Sequence, residues 1–262
     1  MAFNIDGIII DRIQMGIAED FSGNILYTLT QLADATIEVT AESKEAKDAN
    51  GTLIKTFYTS KSGTFTANNA MLDFNIMAES TGSAKEVASV SKEITMPGIL
   101  SVKPGTDTVT LKGVKADTVS VVGVAGNGTL IKKYTKDSSA QEGTFSISGE
   151  TLSLPTDNTP AEFVVKYDRE VSSGVKVANR ADEFPKTIKL TLKALAVDPC
   201  SPDTVRSCLI VLPSFQVSPE TSISLQTDAQ LEYKGNLQVD YCNAAGKTLY
   251  EIYMSEDDVE EA

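Results

Sequence analysis

Histidine and tryptophan are both missing from this chain of 262 residues, and basic side chains are scarce. Without histidine there is no Ser-His-Asp triad, no histidine general base and no histidine-liganded zinc or iron. The 36 acidic residues outnumber the 23 basic ones, so the formal net charge is −13, which disfavours nucleic-acid binding through a broad basic groove. No apolar run approaches the ~18 residues that span a bilayer, so the sequence predicts no membrane partner.

The N-terminus lacks the features of a signal peptide. It carries Asp6 where a signal peptide carries Lys or Arg, and the apolar run 8–10 is too short for a signal peptide's hydrophobic region. We therefore expect synthesis and residence in a cytoplasm. The cysteines are odd in number and lack CxxC spacing, which favours buried free thiols over a zinc or redox site. They are Cys200, Cys208 and Cys242. A bridge between Cys200 and Cys208 is possible in geometry if the two lie on facing strands, but a reducing cytoplasm argues against it during synthesis.

Apolar and polar residues alternate with a period of two along most of the chain, as at 37–42 and 188–193, which is typical of half-buried β-strands. Residues 25–29 fit a helix or a strand, and their Ile, Tyr and Thr content favours a strand. One segment has helical spacing. It predicts a helix of about ten residues that Asn68 caps and that ends before Ser80, with Met71, Leu72 and Ile76 on one face. The fold class is therefore mainly β and antiparallel, with one short helix.

A six-residue motif occurs twice, as Asn50-Gly-Thr-Leu-Ile-Lys55 and as Asn127-Gly-Thr-Leu-Ile-Lys132, with a weaker copy at 245–249. Strand-like residues flank each copy, and Asn-Gly tolerates the positive φ angles of two-residue hairpin turns. The motif therefore predicts three β-hairpins. A true duplication and convergent hairpin chemistry both explain the likeness.

Strand periodicity lapses at 96–98 and around 179–185, where Pro, Gly and charge accumulate. We therefore predict an inserted β domain at 99–182, with 1–98 and 183–254 forming a discontinuous core. Five of the seven residues after Ser255 are acidic, so residues 255–262 are expected to be a solvated, disordered tail.

No motif in the chain is specific enough to indicate an active site. Gly246-Lys-Thr resembles the end of a phosphate-binding loop, but Tyr241 stands where the pattern needs glycine. Carboxylate pairs serve histidine-free glycosidases, yet such enzymes line their sugar sites with Trp, which this chain lacks. We expect no catalytic, cofactor-binding or metal-binding residues, no cofactor and no enzyme activity. Turnover on a polysaccharide would reveal a glycosidase instead.

Four consecutive segments carry a resemblance to a known family. They are the strand 35–44, the turn 48–52, the return strand 59–68 and the helix that ends near 80–82. Together they resemble the tail tube (major tail) proteins of tailed bacteriophages, over residues 20–95 and more loosely over 186–253. The resemblance implies an antiparallel β-sandwich or split-barrel core flanked by one helix. The span 99–182 departs from the minimal pattern and looks like an added immunoglobulin-like β domain.

The resemblance also implies a function. Such a chain is a structural virion protein that self-assembles into stacked hexameric rings, forming the conduit for DNA ejection. Its partners would be itself and the tail terminator, baseplate and sheath proteins, while DNA passes without specific binding. It would be assembled in the bacterial host cytoplasm and reside in the virion tail. The alternative is a capsid decoration protein or another β-sandwich binding module without a conduit role.

In the family, the long hairpin that corresponds to residues 41–62 bridges to the adjacent ring. Its apolar face would then be a subunit contact, and it comprises Leu53, Ile54, Phe57 and Tyr58. Packing on the protein's own core is the competing interpretation, above all for Leu53 and Phe57. The apolar N-terminal arm needs somewhere to bury and is the second candidate contact. It contains Phe3, Ile5, Ile8, Ile9 and Ile10.

Overall fold

The computed structural model describes residues 7–30, 32–69, 71–199, 201–220, 222–223, 226, 230–239 and 247–260. The chain divides into two compact units. Unit 1 combines residues 1–85 and 177–262, and unit 2 is the continuous span 86–176. The predicted mainly β class with one short helix is confirmed for the described residues.

Unit 1 contains one large antiparallel sheet and one helix. Its strands are β1 (Ile9–Glu19), β2 (Ile25–Leu29), β3 (Leu32–Lys47), β4 (Leu53–Asn69), β14 (Thr187–Asp198), β15 (Ser201–Val217), β16 (Leu231–Leu237) and β17 (Glu251–Val259), and its helix is α1 (Phe74–Thr81). The sheet order is β2-β1-β14-β15-β16-β4-β3, with β17 also paired to β15. Residues 25–29 are the strand β2, as predicted.

The sheet of unit 1 curls until distant strands meet. Tyr27 lies on β2 and Tyr233 on β16, with β1, β14 and β15 between them in the sheet order. Their hydroxyl oxygens are nevertheless 2.9 Å apart in a buried hydrogen bond. Burial raises the pKa of both phenols above the ordinary range, so both stay neutral and hydrogen-bonded at physiological pH. The predicted split-barrel character follows from this closure.

The core of unit 1 fills the inside of the curl with apolar side chains from alternate positions of each strand. Ile188, Leu190 and Leu192 of β14 are at most 1% exposed, as their period-two spacing predicts. At the centre, Phe65 meets Phe215 and Tyr233 edge to face, and the rings of Phe215 and Tyr233 are tilted by 55°. Ile76 of α1 completes the core from the helix side.

Helix α1 begins later than its spacing predicts. Asp73 is the N-cap, because its carboxylate accepts the amide of Asn75 at 2.7 Å and that of Ile76 at 3.4 Å. The predicted cap, Asn68, belongs to β4 and pairs with Glu232 of β16. Met71 therefore precedes the helix and is 57% exposed.

Unit 2 is a second β structure with its own core. Its strands are β5 (Glu86–Val87), β6 (Ile94–Val102), β7 (Thr108–Thr110), β8 (Ser120–Val124), β9 (Leu130–Lys136), β10 (Thr144–Ser148), β11 (Thr151–Ser153), β12 (Glu162–Val171) and β13 (Val175–Lys176). Seven of them form a sheet in the order β6-β12-β8-β9-β10-β11-β7, and β13 pairs with β5. The β9–β10 step is parallel and two residue pairs long, and the other steps are antiparallel. An immunoglobulin-like assignment of this domain stays a prediction.

Two sequence features have a different structure from the one predicted. Residues 96–98 do not form a boundary but lie inside β6, where Pro97 pairs with Asp168 and Gly98 with Tyr167. Residues 255–259 are not a disordered tail but continue β17, in which Val259 pairs with Arg206 of β15. Beyond the strand, Glu260 forms an ion pair with Lys193 at 2.5 Å, which draws the acidic segment to the sheet.

The repeated Asn-Gly motif forms hairpins, but the turns are longer than predicted. In each of the five-residue loops 48–52 and 125–129, the amide of the first residue donates to the carbonyl oxygen of the fifth residue. The amide of the fourth residue donates to the carbonyl oxygen of the first residue. These hydrogen bonds are 2.8 to 3.0 Å long. Only Gly51 and Gly128 have positive φ, at +84° and +82°. These are three-residue loops with a glycine bulge. Loop 20–24 lacks the repeated motif but has the same bonds, with Gly23 at φ +84° in the fourth position, which favours convergent turn chemistry. Residues 245 and 246 of the weaker copy lie outside the described residues, so its hairpin stays a prediction.

The one cysteine that the described part of the chain contains is buried. Cys208 of β15 is 0% exposed and carries a free thiol, whose pKa burial raises. A buried, protonated thiol is unreactive. Cys200 and Cys242 lie outside the described residues.

A buried carboxylate organises one side of the unit 2 core. The Asp157 side chain is 5% exposed. It accepts the Tyr134 hydroxyl at 2.9 Å, the Lys132 ammonium at 3.2 Å and the Thr159 amide at 2.9 Å. The hydrogen bonds from Thr159, followed by the one from Tyr134, lower the pKa of Asp157 well below its ordinary value.

This cluster predicts that stability falls at acidic pH. Because the folded-state pKa is lowered, ionised Asp157 stabilises the fold above its unfolded pKa of about 4, and the benefit is lost as pH falls below that value. We expect Asp157→Asn to lower the Tm by several degrees at pH 7, with the difference from wild type shrinking toward pH 3. Thermal unfolding followed by circular dichroism between pH 3 and pH 7 measures this. A pH-independent difference would contradict the assigned role of the charge.

Candidate assembly surfaces

The β3–β4 hairpin extends far beyond the sheet that anchors it. From residue 40 to 47 and from 53 to 62, every side chain is exposed except those of Ala46 and Thr56, which are half-buried. We call these residues, with the turn between them, the ribbon. A two-stranded ribbon without a packed face is at best marginally stable in water. Its length therefore indicates a surface that a partner covers.

The four apolar residues predicted on the ribbon are exposed in the subunit. The exposed fractions are 50% for Leu53, 68% for Ile54, 50% for Phe57 and 74% for Tyr58. They do not contribute to either core cluster. Large apolar side chains exposed together are typical of interaction sites.

These four residues do not share one apolar face, contrary to the expectation. Phe57 and Tyr58 are consecutive and pair in register with Lys44 and Ser43, so they lie on opposite faces. A β-bulge then shifts the register and pairs Leu53 with Lys47, which places Leu53 on the Tyr58 face. On the other face, the ammonium of Lys55 lies 4.9 Å from the centre of the Phe57 ring. The ribbon is therefore apolar on both faces and suited to contact neighbours on both sides.

The turn at the tip of the ribbon is fixed by Asp48. Its carboxylate accepts the amide of Thr52 at 2.8 Å and that of Asn50 at 2.9 Å. These bonds, the one from Thr52 first, lower the pKa of Asp48. The carboxylate is therefore ionised at neutral pH and holds the tip in one conformation.

The N-terminal candidate contact is only partly described. Ile8 is half-buried and packs against the unit 1 core, whereas Ile9 and Ile10 of β1 are 60% and 48% exposed. Phe3 and Ile5 lie outside the described residues. A contact role for this segment stays a prediction.

Three strands offer backbone edges for pairing. β2 and β3 are the two ends of the sheet order in unit 1, and β17 pairs with β15 alone among the described strands. Unpaired strand edges are templates for pairing with another chain. Sequence periodicity predicts strands but not their order, so it could not indicate which strands are edges.

The acidic charge is concentrated in one of the two units. Unit 2 carries 10 basic and 11 acidic residues, which leaves 13 basic and 25 acidic residues in unit 1. The net charge of unit 1 is therefore −12 and that of unit 2 is −1. Any strong electrostatic effect of this chain arises from unit 1.

The described residues contain neither a cluster of metal ligands nor a membrane-spanning helix. No group of three or more Cys, Asp or Glu side chains lies together as metal ligands do within that part of the chain. No helix there has the length and apolar character that crossing a bilayer demands.

Comparison with known proteins identifies the family. No curated protein matches the chain. The sequence model of the YomU/Tube protein family matches residues 8–249. That match spans most of the chain and confirms the resemblance to phage tail tube proteins, with the virion tail as the place where such a protein resides. The chain therefore belongs to the YomU/Tube protein family.

Proposed function

We propose that the chain is a tail tube subunit that self-assembles into stacked hexameric rings and that the resulting tube conducts DNA during ejection. The observation that carries the proposal is the ribbon, because it places large apolar side chains on two exposed faces of a tube-family subunit. In a free monomer both apolar faces stay exposed to water, whereas a subunit in contact with neighbours buries both faces. The edges of β2 and β3 supply a second means of association.

The charge of unit 1 supports a conduit that DNA does not stick to. A lumen with negative charge repels phosphates, so the duplex slides without binding. Even six lysine contacts to phosphate would make binding strong and salt-dependent. We therefore propose that DNA passes without specific binding.

The proposal also covers the proteins that the tube contacts and the compartment in which it assembles. We propose that the tube ends on tail terminator and baseplate proteins, that a sheath surrounds it in a contractile tail, and that assembly occurs in the host cytoplasm. The role is structural and not enzymatic, and it requires no cofactor or metal. The absence of histidine supports this part, because most general acid–base mechanisms use that residue.

Negative-stain electron microscopy of the purified protein across a concentration series tests the proposal. We expect hollow tubes or stacked rings above a critical concentration, with six subunits per ring in top views. Sedimentation of the same samples measures that concentration. Dispersed small particles at every concentration, with or without added tube fragments as seeds, would favour a decoration protein or another binding module.

A further inference from the structure

A groove opens in unit 1 where the sheet is incomplete. β16 and β17 both pair with the same side of β15, because β14 occupies the other side. Further out, β16 pairs with β4 at residues 63–69. Within the described residues β17 has no such pairing with β4. A groove of about 570 Å³ lies there, between residues 59–61 of β4 and residues 247–250.

The lining of this groove combines an apolar surface with two cations. Val39, Val239, Leu249 and Tyr250 supply the apolar part, and Lys61 and Lys247 the positive charge. No ion pair among the described residues includes either lysine, although ten such pairs occur elsewhere.

One described carboxylate is bound by a lining residue: that of Glu42 accepts the Ser60 hydroxyl at 3.1 Å. In a unit of net charge −12, a groove whose two lysines form no ion pair with a described residue favours an acidic occupant.

The backbone beside the groove favours an extended occupant. From Leu53 to Ser62, β4 pairs with β3 on one side, and no described strand pairs with the other side. In an antiparallel ladder, about half of the backbone N–H and C=O groups of a strand point away from its partner. Those groups of β4 are therefore available to an added strand, which is a common mode of peptide recognition.

We propose that this groove binds the N-terminal segment 2–6 of a second copy of the chain, as an extended strand along β4. The segment alternates apolar Phe3 and Ile5 with polar Asn4 and Asp6. As a strand it presents Phe3 and Ile5 on one face, which fits the apolar lining. Asp6, at the end of the segment, carries its one carboxylate, which the long and flexible Lys61 and Lys247 side chains can reach around the strand edge. The inference rests on the proposed self-assembly and names one of its contacts.

A binding measurement tests the groove without requiring tubes. A fluorescent peptide of residues 1–8 is titrated with the full-length protein and followed by anisotropy. We expect saturable binding that Lys247→Glu weakens about tenfold, the effect of losing one ion pair and adding one repulsion. Lys133→Glu in unit 2 makes the same charge change and should leave binding within a factor of two. Binding that ignores Lys247→Glu, or no binding, would overturn the proposal.

Photo-crosslinking then tests whether the occupant comes from another copy. p-Benzoylphenylalanine replaces Phe3 in unlabelled subunits, which are mixed with ¹⁵N-labelled wild-type subunits, assembled, irradiated and digested. We expect peptides in which position 3 joins a labelled segment that contains Val239 or residues 247–250. Crosslinks within one chain, or to other segments, would overturn the inference. If wild-type subunits form no tubes while the peptide binds as expected, the proposed function fails and the groove assignment stands.

Discussion

Ile54→Asp combined with Tyr58→Asp is expected to abolish tube growth and to leave the subunit folded. Both side chains are more than two-thirds exposed in the subunit, at 68% and 74%, so their replacement removes no core contact. In the tube, these two positions would bury two carboxylates against a neighbour. Truncating a hot-spot residue at the centre of an interface costs about 2 kcal/mol or more, so two such changes, about 4 kcal/mol together, raise the critical concentration by roughly 1,000-fold.

Sedimentation and electron microscopy measure this effect, and circular dichroism checks the fold. The matched control is Val90→Asp with Ile99→Asp in unit 2, which adds the same two charges at side chains that are 90% and 77% exposed. We expect the control to assemble like wild type. An unfolded ribbon variant would mean that these side chains are core, and unchanged assembly would exclude these two positions as contacts. Phe57→Asp tests the face opposite Tyr58 separately.

Period-two alternation predicted the strands well because burial on one face dictates it. β14 shows this clearly, since Ile188, Leu190 and Leu192 are buried between polar neighbours. The alternation could not reveal that the ribbon has two apolar faces. Among the four residues, Leu53 is adjacent to Ile54 and Phe57 is adjacent to Tyr58. In a regular strand of a globular domain, one side chain of each adjacent pair would point to the core and the other to solvent. Their exposure on both faces depends on how far the hairpin extends beyond the sheet, and the sequence does not show that.

Local signals failed where a tertiary contact decided the outcome. Asn68 is a good helix cap in isolation, but pairing with β16 draws it into β4, and Asp73 caps the helix instead. The sequence predicts a domain boundary at Pro97 because proline has no backbone N–H to donate to a neighbouring strand. It is tolerated in β6 because that strand is the edge of the seven-stranded sheet and pairs with β12 alone.

The acidic C-terminal segment illustrates the same limit. A run of like charges is usually solvated because its charges repel one another. Here β15 offers an unpaired edge beside residues 206–211, and β17 occupies it. The gain of backbone hydrogen bonds and the Glu260 to Lys193 ion pair offset the repulsion. Nothing near the segment in the sequence indicates that partner.

Gly235 is the residue at which the ribbon-bearing strand β4 is joined to the rest of the unit 1 sheet. It lies on β16, which joins β15 to β4 and so attaches the ribbon to the rest of the sheet. Phe65 of β4 and Val217 of β15 are its partners across the ladders. A β-carbon on Gly235 would overlap the carbonyl oxygen of Gln216 and lie 2.6 Å from a ring carbon of Phe215. The Phe215 ring cannot move aside, because Phe65 and Tyr233 flank it with ring centres 5.8 and 5.7 Å away.

Gly235→Ala is therefore expected to destabilise the protein by on the order of 3 kcal/mol, the upper range for overpacking a core, because the ladder between β15 and β16 must separate. Denaturant unfolding followed by circular dichroism measures the change in the free energy of unfolding. Gly143→Ala is the control, since a β-carbon there meets no atom within 4 Å, and its effect should stay within about 0.5 kcal/mol. Because β16 anchors the ribbon, Gly235→Ala should also prevent assembly at temperatures where wild type forms tubes. Equal stability of the two variants would show that β15 and Phe215 can shift, and that β16 does not hold the ribbon rigidly.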